Sequence, residues 1–178
     1  YIIGTFNFYN LQVTRLSINL DRKLEAKVKV VFLSDLHLSS LIDHKYLEKI
    51  VNKINSENPD IVIFGGDIVD REIEPLLQYD AASILRRIKS KWGVYAVSGN
   101  HEFYGGDRDE ILKYLSSSGI IFLKDSLVNI NNIFYIAGRE DKTNPRRESI
   151  EKIIGNRDLS LPLILVDHQP YNMDEALS

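Results

Sequence analysis

Asp60-Ile61-Val62-Ile63-Phe64-Gly65-Gly66-Asp67-Ile68-Val69-Asp70 is the stretch that decides the fold. Four consecutive apolar residues, three of them β-branched, fit a short strand buried on both faces. Two glycines then let the backbone turn sharply, and an acid follows at once. The same grammar recurs along the chain. Val31-Phe32-Leu33-Ser34 runs into Asp35-Leu36-His37, and Ala96-Val97-Ser98 runs into Gly99-Asn100-His101-Glu102. Leu163-Ile164-Leu165-Val166 runs into Asp167-His168-Gln169-Pro170.

The intervals between these junctions read as helices. Asp43 is placed to cap a helix whose apolar face is Tyr46, Leu47, Ile50, Val51 and Ile54, with Pro59 beyond its end. Pro75 suits a first helical turn, and Leu77, Ala81, Ile84, Leu85 and Ile88 would form one apolar face. A helix is expected from Asp109 to Ser117, and another opened by Pro145 and closed by Gly155. Strands are expected at Val28–Leu33, Ile61–Phe64, Val94–Val97 and Leu161–Val166. Asn131-Asn132 predicts a hairpin between Ser126–Ile130 and Ile133–Ala137. Within residues 1–27, Leu16, Ile18 and Leu20 alternate with polar residues before Asp21-Arg22-Lys23 and a return from Leu24 to Val30, an antiparallel hairpin pattern. Tyr1–Tyr9 reads as an edge strand or as the tail of a removed signal or anchor segment. Strands and helices alternate with a period of about 32 residues, the βαβ spacing of a largely parallel sheet, so one α/β domain is expected over residues 1–178.

Composition narrows the chemistry. The 178 residues contain no Cys, which excludes disulfides, thiolate catalysis, Fe–S clusters and cysteine-held zinc. Lys and Arg number 22 against 25 Asp and Glu, so the basic excess of a phosphate-neutralising nucleic-acid binder is absent. No apolar stretch approaches the roughly 18 residues of a membrane-spanning helix. The final Asp174-Glu175-Ala176-Leu177-Ser178 carries no mark of a domain edge and reads as an interruption.

The four junctions converge in an open α/β sheet, where ligands sit beyond the carboxyl ends of the strands. Three of the four His lie there. Taken singly, Asp-x-His is compatible with a capped turn beside a surface histidine, and Gly-Asp with an ordinary loop. Taken together, several carboxylates at one edge would repel one another without a cation. A site rich in oxygen and imidazole suits Mn²⁺, Fe, Zn²⁺ or Mg²⁺. Two such ions about 3.5–4 Å apart can clamp the attacking and leaving oxygens of a phosphoryl displacement. Asp67, on the middle strand, is placed to bridge them.

These residues resemble the calcineurin-like metallophosphoesterase family, whose pattern is Asp-x-His, Gly-Asp-x-x-Asp, Gly-Asn-His-Asp/Glu, a lone His and Gly-His-x-His. The matches are Asp35/His37, Gly66-Asp67-Ile68-Val69-Asp70, Gly99-Asn100-His101-Glu102 and His168, across roughly residues 28–170. The resemblance implies a four-layer α/β/β/α sandwich and phosphate-ester hydrolysis (diester, monoester or pyrophosphate) by a metal-bound hydroxide at a dinuclear site. It implies Asp35 and His37 on the first metal, Asp67 as the bridge, and Asn100 and His168 on the second. His101 is implied as the non-ligand imidazole beside the leaving oxygen. Asp70 or Glu102 would orient it, the alternative being a carboxylate that fixes its own loop. Arg71 would reach a substrate phosphate or remain a solvated surface residue. His44 fits no motif and is expected to be exposed on the first helix.

The final Gly-His-x-His has no counterpart in the 178 residues. In the family its histidines complete both ligand sets, so this stretch alone is expected to hold fewer ions and to be incomplete at its C-terminal end. Its general look is similar to bacterial members exported across or tethered to the membrane, which implies a phosphorylated small-molecule or lipid-linked substrate and membrane association. Two other readings compete: a non-catalytic relative serving as scaffold or partner-binding module, and a doubly wound nucleotide or flavin binder. Retention of His101 speaks against the first. The absence of glycine in Asp35-Leu36-His37-Leu38-Ser39-Ser40 speaks against the second.

Overall fold

A computed structural model describes residues 10–20, 27–157, 160–171 and 174. Its strands are β1 (Val30–Leu33), β2 (Ile61–Phe64), β3 (Val94–Ala96), β4 (Ile120–Phe122), β5 (Ser126–Ile130), β6 (Phe134–Gly138) and β7 (Leu163–Val166). Its helices are α1 (His44–Ser56), α2 (Glu74–Gln78), α3 (Ala81–Leu85), α4 (His101–Tyr104), α5 (Arg108–Ser116) and α6 (Ile150–Ile154). The first four strands form an all-parallel sheet in the order β1-β2-β3-β4. Register aligns their carboxyl ends, with Leu33 opposite Phe64, Phe64 opposite Ala96, and Ala96 opposite Phe122.

The two sheets of the expected four-layer sandwich are both present, but Leu163–Val166, read as a fourth strand of the parallel sheet, belongs to the second. Asp125, Asn131 and Asn132 all adopt left-handed backbone, with φ of 45°, 51° and 56°. Asp125 turns the chain out of β4, and the Asn pair closes an antiparallel hairpin of β5 and β6. β7 then pairs in parallel with β6, placing it in the second sheet. Short β4 escapes the sequence pattern because Ile120-Ile121-Phe122 merges with the loop that follows.

Each face of the parallel sheet has its own core. On one side Val62, Phe64, Ala96 and Ile120 pack against Leu47, Ile50, Val51, Ile54, Leu76, Ile84, Leu85, Ile111 and Leu115 of the helices. On the other, Ile61, Ile63, Tyr95, Val97 and Leu123 meet Ile130, Phe134, Ile136 and Val166 of the second sheet. α6 packs against β5 on the outer side, with Ile150 and Ile153 buried. Helix, parallel sheet, mixed sheet and helix make the four α/β/β/α layers. With Ile61–Phe64 buried throughout, β2 is the central rod of the molecule.

Several local expectations are revised. The single helix expected after Pro75 is two, because Asp80 (φ 51°) ends α2 and caps α3 by accepting from the Ser83 amide. That break turns Leu77 outward and Leu76 inward. α6 begins at Ile150 rather than at Pro145, capped by the Ser149 side chain, which accepts from the Lys152 amide. The N-terminal hairpin does not form in the described part. Residues 11–20 carry no strand, and Leu16 and Ile18 are more than four-fifths exposed. Leu11 packs on the helical core and Arg15 bonds Glu57 at 2.7 Å, so the segment lies against the surface. The Asp21-Arg22-Lys23 turn and the Tyr1–Tyr9 strand lie outside the described residues.

Candidate metal centre

Parallel pairing continues past the ends of β1 and β2 and delivers the first two motifs together. Asp35 N–H donates to the Gly66 carbonyl at 3.1 Å, His37 to Asp67 at 3.0 Å, and Leu38 to Ile68 at 2.8 Å. Asp35, His37 and Asp67 all take left-handed backbone, with φ of 57°, 47° and 50°. Such conformations carry strain of about 1 kcal/mol or more each, and they cluster where side chains must be aimed. The loop after β3 presses against this pair. A Cβ at Gly99 would lie 2.1 Å from Asp67 Oδ1, so only glycine permits the approach. Beyond it, the His101 amide donates to Asp67 Oδ1 at 2.9 Å.

Asp67, 3% exposed, is the hub. Its Oδ2 lies 3.3 Å from His168 Nε2, 3.8 Å from His37 Nε2 and 4.0 Å from His101 Nε2. His37 Nε2 is also 3.8 Å from Asp35 Oδ1, and His168 Nε2 is 3.2 Å from Asn100 Oδ1. The five residues expected to hold metal thus face one another. Their ligand atoms fall into two groups able to hold a cation, His37/Asp67/His101 and Asp35/Asp67/His168, with Asp67 in both. By proximity Asp35 stands with His168, and His101 stands with His37.

Electrostatics follow from the geometry. The hydrogen bond to Asp67 is the main cause that lifts His168 from its ordinary 6.5 to about 9; burial opposes it, and the bond to the Gly65 carbonyl adds to it. With no ion bound, both ring nitrogens of His168 face acceptors, Nδ1 the Gly65 carbonyl at 2.8 Å and Nε2 the Asp67 carboxylate at 3.3 Å, a geometry that favours the protonated ring. Burial works to raise Asp67, but hydrogen bonds from His168 and the His101 amide hold it below the usual carboxylate range.

The remaining predicted residues separate. Asp70 does orient His101: its Oδ1 is 2.7 Å from His101 Nδ1, whose other partner is the Asp70 carbonyl at 3.0 Å. Nδ1 therefore carries the proton and Nε2 points toward Asp67. Glu102 does not touch the His101 ring. Fully buried, it accepts backbone N–H groups from two loops, so the loop-fixing alternative describes it. Arg71 and His44 are exposed. Asp167 turns away from the centre toward Arg139 and Arg147. Burial pushes its carboxyl up, and the two arginines pull it back. Sequence reasoning missed Gln169, whose Nε2 donates to Asn100 Oδ1 at 2.5 Å. Its only signal is its place directly after His168.

The donor set of carboxylate, imidazole and amide oxygen is that of a hard or borderline divalent ion, and a buried carboxylate shared by two groups fits a cation on either side of it. Layered fold and donor set together define a metal-binding α/β/β/α domain. The chain belongs to the calcineurin-like phosphoesterase family, whose model matches residues 28–177. Membership points to metal-dependent hydrolysis of phosphate esters. Over 152 residues the chain is 34% identical to an "Uncharacterized metallophosphoesterase" of Helicobacter pylori strain J99, covering 83% of this chain and 40% of the relative. A protein of the same name from Aquifex aeolicus is 30% identical over 176 residues, 95% of this chain and 66% of that one. A zebrafish (Danio rerio) "Transmembrane protein with metallophosphoesterase domain" is 30% identical over 162 residues, 84% of this chain and 37% of that one. The chain thus spans well under half the length of the Helicobacter and zebrafish relatives.

Proposed function

We propose that the protein hydrolyses a phosphate ester (diester, monoester or pyrophosphate) with two divalent ions, Mn²⁺, Fe or Zn²⁺, held by Asp35, His37, Asp67, Asn100 and His168. The observation that supports this reading is buried Asp67, with His37 and His168 within 3.8 Å of its Oδ2, Asp35 beside His37, and Asn100 beside His168. When bound, the ions supply Lewis-acid activation of water and neutralise phosphoryl charge. The chain's own residues do the rest. His101, its Nδ1–H fixed by Asp70, offers Nε2 to the leaving oxygen as general acid. Asp70 stabilises the imidazolium form that such a donor must take up beforehand. Exposed Arg71, next in the chain, is free to swing onto a phosphoryl oxygen. Ser39, Ser40, Phe103 and Tyr104 follow the first and third motifs and are proposed to meet the substrate, the Tyr104 ring lying 5.5 Å from that of His101.

The proposed substrate is a phosphorylated small molecule or a lipid-linked one, acted on at or beyond a membrane. The printed name of the zebrafish relative supports a membrane setting. Among the described residues no helix is long and apolar enough to cross a membrane. The test is hydrolysis of bis-p-nitrophenyl phosphate and p-nitrophenyl phosphate by the full protein. Activity should vanish with EDTA and return with Mn²⁺. An absence of ion-dependent hydrolysis of either compound, with folding intact, would refute the proposal.

A further inference from the structure

Glu102 lies behind the metal-capable side chains, 0% exposed, and among the described residues it forms no ion pair. Its Oε1 accepts from the Val69 amide at 3.0 Å, and its Oε2 from the Gly99 amide at 2.7 Å and the Asp67 amide at 3.2 Å. Asp67 and Val69 belong to the loop after β2, and Gly99 to the loop after β3. One carboxylate therefore ties two loops that are more than 30 residues apart in sequence. The loop after β1 hangs on the same node, because His37 and Leu38 donate to the carbonyls of Asp67 and Ile68. The segment so held includes Asp67, whose left-handed backbone (φ 50°) is costly for a residue with a side chain.

A buried carboxylate is tolerated only when its oxygens are satisfied, and convergent backbone N–H groups satisfy an anion as a lone cation would. Charge-assisted bonds of this kind are about twice as strong as neutral ones. The two buried acids then divide the work. Asp67 Oδ2 faces the imidazoles, where a cation belongs, while Glu102 faces only backbone.

We infer that Glu102 is a positioning residue that pre-forms the three ligand-bearing loops before any ion arrives, so that metal enters a finished site instead of assembling it. The metal consequence rests on the proposed function; the brace itself belongs to the metal-free fold.

The test compares wild type with Glu102→Gln, which places an NH₂ against a backbone donor. Hydrogen exchange is read on the metal-free full protein. In wild type the amides of Asp67, Val69 and Gly99 should be as protected as those of β2. In the variant, peptides covering 65–70 and 97–101 should exchange at least about tenfold faster while the β5–β6 hairpin stays unchanged, and half-saturation by Mn²⁺ should rise about 10–100-fold with kcat recovered at saturation. Rapid exchange of these three amides in wild type overturns the inference even if the variant fails to fold. So does a variant with unchanged exchange, or one with faster exchange and unaltered Mn²⁺ half-saturation. Wild type that takes up no Mn²⁺ in a calorimeter removes the proposed function instead, and the exchange comparison still decides the brace.

Discussion

Raising the pH of the metal-free protein should loosen it through a single ion pair. His168 is lifted from 6.5 to about 9, chiefly by its hydrogen bond to Asp67, and its side chain is only 6% exposed. Because the folded value lies above the unfolded one, the stabilisation is fully present below pH 6.5 and is lost as pH climbs through about 9. At about 1.4 kcal/mol per pH unit, that interval corresponds to ~3 kcal/mol, an upper figure because His168 and Asp67 describe one interaction that is counted once. Urea unfolding in EDTA at pH 6, 7.5 and 9.5 measures it. Wild type should lose up to ~3 kcal/mol across the series, and His168→Gln should lose little of this. The same proton must leave when a divalent ion takes Nε2. Titrating Mn²⁺ at pH 7 in buffers of different ionisation enthalpy should therefore show about one proton released per chain. A wild-type stability that is flat between pH 6 and 9.5, or an equal slope in His168→Gln, would sink the reasoning.

Three further outcomes follow from contacts already described. His101→Ala should lower turnover of the full protein roughly 10²–10⁴-fold with bound metal unchanged; lost metal, measured by atomic emission, would make His101 a ligand instead. Asp70→Asn should also lower kcat and leave KM within about twofold with bound metal unchanged, since the His101 ring loses the carboxylate that holds its Nδ1 at 2.7 Å. Gly99→Ala would thrust a methyl to within 2.1 Å of Asp67 Oδ1, and should cost roughly 1–3 kcal/mol by thermal unfolding while abolishing Mn²⁺ uptake.

The strands and their motifs were legible because the signals are local. Ile61-Val62-Ile63-Phe64 can only be buried, and Gly65-Gly66 can only turn, whatever the rest of the chain does. The choice of strand partner is not local, and there the sequence misled. Nothing in Leu163–Val166 says that it pairs with β6 rather than with the parallel sheet. Only the left-handed turns at Asp125, Asn131 and Asn132 divert the chain, and Asp125 gives no glycine as a warning. Asp80 hid in the same way, because an aspartate inside an apolar period reads as a helical surface residue until its φ of 51° is known. Glu102 was ambiguous for a different reason. Beside His101 it looks like the histidine's partner, and the three amides it accepts from belong to residues whose approach exists only after folding.

The site's charge also explains why protons and metal should compete here and not elsewhere in the molecule. Asp167 is neutralised by Arg139 and Arg147, and Glu140 by Arg108 at 2.5 Å, all three permanent cations. Glu102 is satisfied by backbone. Asp67, by contrast, is balanced by a removable charge, the His168 proton. A cation arriving at Asp67 therefore has to expel that proton, while Asp167, Glu140 and Glu102 are already tied off and do not draw the ion away from the centre. The prediction that distinguishes this from general acid sensitivity is its location. Substituting Arg147 should lower stability at every pH through a buried, unpaired Asp167, whereas substituting His168 should change the slope with pH and the count of protons released by Mn²⁺.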